Sequence, residues 1–188
     1  MTIQDSLDKL KAGNNRFVAS RIDGEYQFNT KTKLIVEEQN PYAAILSCAD
    51  SRVVPEFVFD AGIGDLFVIK VAGNIANRSS IASIEFAVNQ LNVNIIIILG
   101  HQNCGAVIAT VQGGDNGENL NHLLAHISPA ISACDKDASI NEIVMKNAEL
   151  TAADLKNNSQ ILKESIANGD LKIVPAYYNL DTGRVDFI

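Results

Sequence analysis

The run Ile95-Ile96-Ile97-Ile98-Leu99 constrains this chain more than any other stretch. Consecutive large apolar residues, mostly β-branched, favour an extended backbone and leave neither face of a strand polar. The run is too short to cross a bilayer, which takes about 20 residues as a helix. It reads as a strand covered on both faces, and such strands belong to parallel sheets layered between helices. It stops at Gly100-His101-Gln102-Asn103-Cys104. An earlier run, Ala43-Ala44-Ile45-Leu46-Ser47, stops the same way at Cys48-Ala49-Asp50-Ser51-Arg52. Both strands therefore end at polar turns whose side chains are of metal-binding type.

The rest of the sequence alternates short apolar runs with amphipathic stretches, the pattern of an α/β fold with a mostly parallel sheet. Four strands are expected at 43–47, 66–71, 95–99 and 173–178, all covered on both faces, with a short last strand at 185–188 after a turn. Helices are expected at 3–20, 81–91, 106–111, 119–133, 140–155 and 160–168. In sheets of this kind ligands collect beyond the carboxyl ends of strands where the strand order reverses. An order 2-1-3-4 brings the ends of the first and third strands together. No repeat, low-complexity tract or linker divides the chain. Residues 1–188 therefore read as one domain, with a helix and arm in 1–40 and the α/β core in 41–188. The polar segment 21–33 is expected as an extended arm over the surface or onto a partner subunit.

At 188 residues, 47% hydrophobic and 20% charged, the chain suits a globular domain with a sizeable core. A net charge of -7 without a basic stripe argues against a nucleic-acid partner. No stretch reaches membrane-spanning length. Three cysteines are too few, and odd in number, for a disulfide framework, so they read as reduced thiols. The N-terminal stretch lacks the apolar core and cleavage site of a secretion signal, and the expected location is the cytoplasm.

Two thiols and an imidazole presented at strand ends make a zinc ligand set. Catalytic zinc sites keep three protein ligands and one exchangeable position, and two cysteines with one histidine is a known combination. His101 and Cys104, three apart on one turn, are close enough to chelate together, and Cys48 completes the set from the neighbouring strand. A lone cysteine is more often a small buried apolar side chain; this constellation argues for metal. Asp50 and Arg52, two apart past a strand end, can pair through a charge-assisted fork. A carboxylate held this way stays ionised and accepts a hydrogen bond from whatever fills the fourth position. Alone, the pair would read as a structural ion pair stiffening the turn. Beside a metal site it reads as catalytic.

The segments Ser47-Cys48-Ala49-Asp50-Ser51-Arg52-Val53 and Gly100-His101-Gln102-Asn103-Cys104-Gly105-Ala106-Val107 resemble the two signature motifs of the β-class carbonic anhydrases. The resemblance continues through Leu10-Lys11-Ala12-Gly13-Asn14-Asn15-Arg16-Phe17, Gly64-Asp65-Leu66-Phe67-Val68, Ala72-Gly73-Asn74, Ser83-Ile84-Glu85-Phe86-Ala87-Val88 and residues 177–185, nearly the whole chain. It implies one zinc per chain on Cys48, His101 and Cys104, the Asp50–Arg52 pair beside it, and reversible hydration of carbon dioxide to bicarbonate and a proton. It also implies a homodimer or a dimer of dimers. Two thiolates donate more negative charge than imidazoles, so water at such a zinc is acidified less and activity is expected to rise into mildly alkaline pH.

The resemblance further assigns Gln39 a hydrogen bond to substrate. Gly105, with nearby amides, is expected to stabilise charge on a bicarbonate oxygen. Phe67 and Ala72 are read as apolar walls or as core. Ile45 stands where an allosteric branch of the family has tryptophan, and the chain contains none, which implies the open, non-allosteric type. The chain departs from the family at Lys70-Val71, often Arg-Asn there, and at Phe86, often a pocket tyrosine.

Other residues take plainer readings. His122 and His126 are spaced like metal ligands on a helix but lack a third partner in the sequence. Cys134 reads as a buried or helix-end cysteine without a role. The loop 113–117 has too few carboxylates for a calcium loop and reads as a connecting turn. The competing functions are hydrolysis of COS or CS₂ by the same zinc chemistry, and a non-catalytic zinc module closed by Asp50. A thiol redox protein ranks last, because no Cys-x-x-Cys pair exists.

Overall fold

The computed structural model describes residues 1–20 and 39–188. The expected arm at 21–33 lies outside the described residues. In chain order the elements are α1 (Ile3–Ser20), β1 (Ala43–Ser47), α2 (Pro55–Val58), β2 (Leu66–Lys70), a 3₁₀ turn (Ala72–Asn74), α3 (Arg78–Leu91) and β3 (Ile95–His101). There follow α4 (Gly105–Gln112), α5 (Glu118–Ala125), α6 (Ser128–Ser132), α7 (Ile140–Asn158), α8 (Gln160–Ala167), β4 (Lys172–Tyr178) and β5 (Val185–Phe187).

The strands form one sheet in the order β2-β1-β3-β4-β5, parallel except for the β4–β5 pair. Every residue of β1 and β3 is buried, as their unbroken apolar runs require. Alternate side chains feed two cores. Ile45, Ile95, Ile97 and Leu99 pack against α1 and α2, while Leu46, Ile96 and Ile98 pack against α3, α7 and α8. Burying each such side chain contributes about 1.5–3 kcal/mol, so these two strands anchor the domain. Strand β2 differs from the sequence expectation of cover on both faces. It is an edge strand, as β5 is at the other side, and Leu66, Phe67, Val68 and Ile69 are only half-buried.

Helices α3 and α7 begin where a side chain satisfies a free amide. Asn77 caps α3 by accepting the Ser80 amide, which starts that helix before its apolar stripe. Ser139 and Glu142 form a capping box on α7. The single helix expected over 119–133 is two, α5 and α6, with Pro129 in the first turn of the second. A proline is tolerated there because that turn needs no intrahelical donor, whereas within a continuous helix it would break the ladder. The short helix α2, opened by Pro55, has too few residues to show a period in the sequence.

Buried Asn14 fastens α1 to the rest of the molecule. Its amide donates to the carbonyls of Val58 and Gly183 at 2.9 Å each, and its oxygen accepts the Val185 amide at 2.9 Å. Gly100 lets α7 lie directly on β3, since a Cβ there would stand 2.9 Å from Val144 Cγ1. Among the described residues no helix is long and apolar enough to cross a membrane.

Candidate metal centre

Adjacent strands β1 and β3 pair through Ser47 and Leu99, so their carboxyl ends are level. Cys48 follows β1 directly, His101 is the last residue of β3, and Cys104 is the N-cap of α4. The chain passes from β1 to β2 on one side and then to β3 on the other, so the three residues meet at the reversal of strand order. Their ligand atoms lie within 4.8 Å of one another, and all three residues are buried.

The donor set fits zinc. The two sulfurs stand 3.9 Å apart, and two thiolates about 2.3 Å from a tetrahedral zinc would be about 3.8 Å apart. That separation also keeps them as free thiols. His101 is fully buried, and its Nε2 has no hydrogen-bond partner. Its Nδ1 lies 3.0 Å from the Gln102 carbonyl, and donating a proton there leaves the lone pair on Nε2. The other buried polar side-chain atoms without a partner among the described residues are Ser47 Oγ and Asn74 Nδ2. Both belong to segments that frame Cys48, so the unpaired groups concentrate at the site.

The two thiols titrate together. The shared contact with Cys104, followed by His101 and the amides of Gly73 and Asp50, pulls Cys48 down to about 4 against its burial. The same contact, then burial and the charge of Cys48, pushes Cys104 up. A thiolate on Cys48 thus opposes ionisation of Cys104, and a divalent cation bound by both would stabilise both thiolates.

Five further residues position the ligands. The Gly73 amide donates to Cys48 Sγ at 3.3 Å, and the Gly73 carbonyl accepts from buried Asn147 on α7 at 2.9 Å. Gly73 has φ +70, which strains any residue with a side chain, and a Cβ on it would press on Ile127 Cδ1 at 2.5 Å and Ala106 Cβ at 3.3 Å. On the second turn Asn103 takes φ +52, which asparagine tolerates better than most residues. Its amide donates to Asn141 Oδ1 at 3.0 Å. Gln102 Oε1 accepts the amides of Leu180 and Asp181 at 2.9 and 3.2 Å, tying the turn to the β4–β5 hairpin. Sequence reasoning missed both asparagines; Asn147 falls within the buried stripe of its helix, where a polar residue is a usable signal, and Asn141 carries none.

Asp50 and Arg52 form the expected fork. Arg52 Nε donates to Oδ1 at 2.9 Å and Nη2 to Oδ2 at 2.8 Å, and the Arg52 amide adds a third bond at 2.9 Å. The Arg52 side chain, acting before any other group, holds the Asp50 carboxyl well below the usual carboxylate range. Gly105 opens α4 and is exposed, with open space where a side chain would begin. Ala72 is half-buried in the 3₁₀ turn. Phe67 packs on Phe86 at 6.1 Å between ring centroids, and Phe86 is 46% exposed. Gln39 is exposed.

The remaining candidates stay outside the centre. His122 and His126 sit edge to face with centroids 5.5 Å apart. Among the described residues the one cluster of three or more metal-type ligands is Cys48, His101 and Cys104. Cys134, half-buried just beyond α6, has its thiol pushed up by burial.

Fold and centre together define an α/β protein with a thiolate-rich, metal-binding type of site at the carboxyl ends of neighbouring parallel strands. Residues 43–185 match the family model described as carbonic anhydrase. Carbonic anhydrase 2 of Mycobacterium tuberculosis is 37% identical over 181 residues, covering 93% of this chain and 87% of that one. The carbonic anhydrase of Mycolicibacterium smegmatis is 35% identical over 183 residues, covering 94% and 89%. Among solved structures, the β-carbonic anhydrase CcaA superposes with a TM-score of 0.74 at 26% identity, covering 99% of this chain and 89% of that one. A chain from the tetrameric β-carbonic anhydrases of Sordaria macrospora gives 0.77 at 22% identity, covering 94% and 93%, a likeness of fold. The chain belongs to the carbonic anhydrase family, in its β class.

Proposed function

We propose that this chain catalyses the reversible hydration of carbon dioxide to bicarbonate and a proton, using one zinc ion held by Cys48, His101 and Cys104. The observation that carries the reading is the buried triad, with its sulfurs 3.9 Å apart and its unpaired His101 Nε2, beside the Asp50–Arg52 fork. When bound, zinc supplies a Lewis acid that makes water acidic enough to deliver hydroxide near neutral pH.

With the metal in place, Asp50, held by Arg52, would accept a hydrogen bond from the attacking oxygen and so orient it toward the substrate. The amide of Gly105, at the start of α4, is suited to stabilise negative charge on the product. Phe67 and Ala72 offer apolar wall for an uncharged gas, and Gln39 is assigned the hydrogen bond to bicarbonate. The fork also supports the open, non-allosteric form, because Arg52 engages both Asp50 oxygens. Hydrolysis of COS or CS₂ is not favoured, since the matched relatives are named carbonic anhydrases.

A homodimer or dimer of dimers is the proposed assembly. The half-buried edge strand β2 and the exposed Phe86 support it, as does the tetrameric state named for the Sordaria relatives. The free thiols are in keeping with the cytoplasm. Stopped-flow measurement of proton release on mixing with dissolved carbon dioxide tests the function. A zinc-loaded chain that leaves the uncatalysed rate unchanged would refute it.

A further inference from the structure

Lys70, the last residue of β2, belongs neither to the triad nor to the Asp50–Arg52 pair, yet its amine reaches the turn that carries that pair. Nζ donates to the Val53 carbonyl at 2.6 Å and to the Asp50 carbonyl at 3.3 Å. The Asp50 carbonyl also closes the turn by accepting the Val53 amide at 3.1 Å. Lys70 thus grips the peptide groups at the two ends of the turn. Its own backbone is anchored in register with Ser47, one residue before the ligand Cys48.

We propose that Lys70 is a positioning residue for the hydration reaction: by clamping residues 50–53 to the edge strand, it sets the direction of the Asp50 carboxylate beside the metal position. The inference rests on the functional reading above. Asp50 Oδ2 already lies 3.8 Å from His101 Nε2, so a small rotation of the turn decides whether the carboxylate stands beside the metal position or on it. The Arg52 side chain is 55% exposed, and an exposed ion pair holds geometry weakly by itself. The Arg52 fork holds the carboxylate relative to the turn, and Lys70 holds the turn relative to the edge strand. Its three N–H donors on a long stem satisfy two carbonyls at once. A guanidinium, with donors on separate nitrogens, can span the same two acceptors.

The test compares Lys70→Met, which keeps an unbranched stem, with Lys70→Arg. Zinc-loaded protein is assayed for carbon dioxide hydration, and metal-free protein is examined by NMR at the Arg52 Nε–H, a reporter of the fork that needs no activity. For Lys70→Met we expect kcat to fall about tenfold or more with KM within about twofold, since the change acts on the chemical step. Zinc content should match wild type, and the Arg52 Nε–H should lose its protection from solvent exchange. Lys70→Arg should restore both readouts. Because the effect runs through Asp50, adding Lys70→Met to Asp50→Asn should cost no further activity.

Multiplicative losses in that double variant, or loss of zinc from Lys70→Met, would overturn the proposal, because either marks a general structural role. An unchanged kcat with an unchanged Arg52 signal would overturn it as well. Should the wild-type chain prove inactive, the functional reading fails, and the NMR comparison still decides whether Lys70 holds the fork.

Discussion

The carboxylate of Asp50 lies 3.8 Å from Nε2 of His101 while Arg52 engages both of its oxygens. The same group is thus near enough to reach a metal on His101 and is restrained from doing so. Removing the acceptor or the restraint should have different structural effects and a similar functional one. Asp50→Asn is expected to keep its zinc and lose about a hundredfold in kcat near neutral pH, because an amide NH₂ donates where a carboxylate accepts. Arg52→Ala should lose activity by freeing Asp50 to swing toward the metal. Elemental analysis alongside stopped-flow assay checks both; an Asp50→Asn enzyme as fast as wild type would remove Asp50 from the mechanism.

Asn147 acts on the centre at one remove, through Gly73 to Cys48 Sγ. Asn147→Leu should strand the buried Gly73 carbonyl, at a cost of about 1–3 kcal/mol, and weaken zinc binding by about 10–100-fold. Denaturant melts and competition with a chelator measure the two effects separately. Unaltered zinc affinity would show that the Gly73 amide does not depend on this support.

Gly73→Ala combines an unfavourable φ of +70 with a Cβ placed 2.5 Å from Ile127 Cδ1. A loss of about 1–3 kcal/mol in stability is expected, together with lower zinc occupancy as the turn moves from Cys48. Equilibrium unfolding of the metal-free and loaded forms reads both.

The pH dependence follows from the Arg52 fork, which lowers Asp50 from its ordinary 3.8. A folded value below the unfolded one stabilises the protein above about pH 4, and this contribution is lost as pH falls through the folded value. Asp50 therefore stays ionised throughout the working range. Activity is expected to rise from neutral to mildly alkaline pH without any limb due to Asp50. A pH–rate profile for wild type and Arg52→Gln checks this: losing the restraint on Asp50 should lower the rate, and since Asp50 stays ionised even at its ordinary 3.8, no limb should move above pH 6. A limb that shifts there would assign it to Asp50.

Phe86, 46% exposed, stacks on Phe67 of the edge strand. Phe86→Lys should weaken self-association and reduce activity on dilution, as followed by light scattering and rate measurements at matched concentrations. A wild-type monomer that remains fully active at nanomolar concentration would contradict the proposed assembly.

The strands that carry the site were legible because β1 and β3 are apolar throughout, and a fully buried parallel strand has no other sequence pattern. The triad was legible because its residues stand just after those runs. The edge position of β2 was not, since Leu66–Lys70 is as apolar as a central strand and only the pairing order exposes it. The division between α5 and α6 hinges on whether Pro129 sits within a helix or at its start, which the apolar period does not determine. Lys70 stood out only as a departure from the family pattern, and its contact to Val53, like that of Asn141 to Asn103, joins segments distant in the chain that no local pattern reveals.

The central claim is that this triad, once it holds zinc, hydrates carbon dioxide. The most direct measurement is the initial hydration rate against zinc per chain, from metal-free protein through stepwise reconstitution, with Cys104→Ser alongside. We expect a line through the origin that reaches full rate at one zinc per chain, and a Cys104→Ser variant low in both zinc and rate. A rate independent of zinc content, or a fully loaded chain without hydration activity, would contradict it.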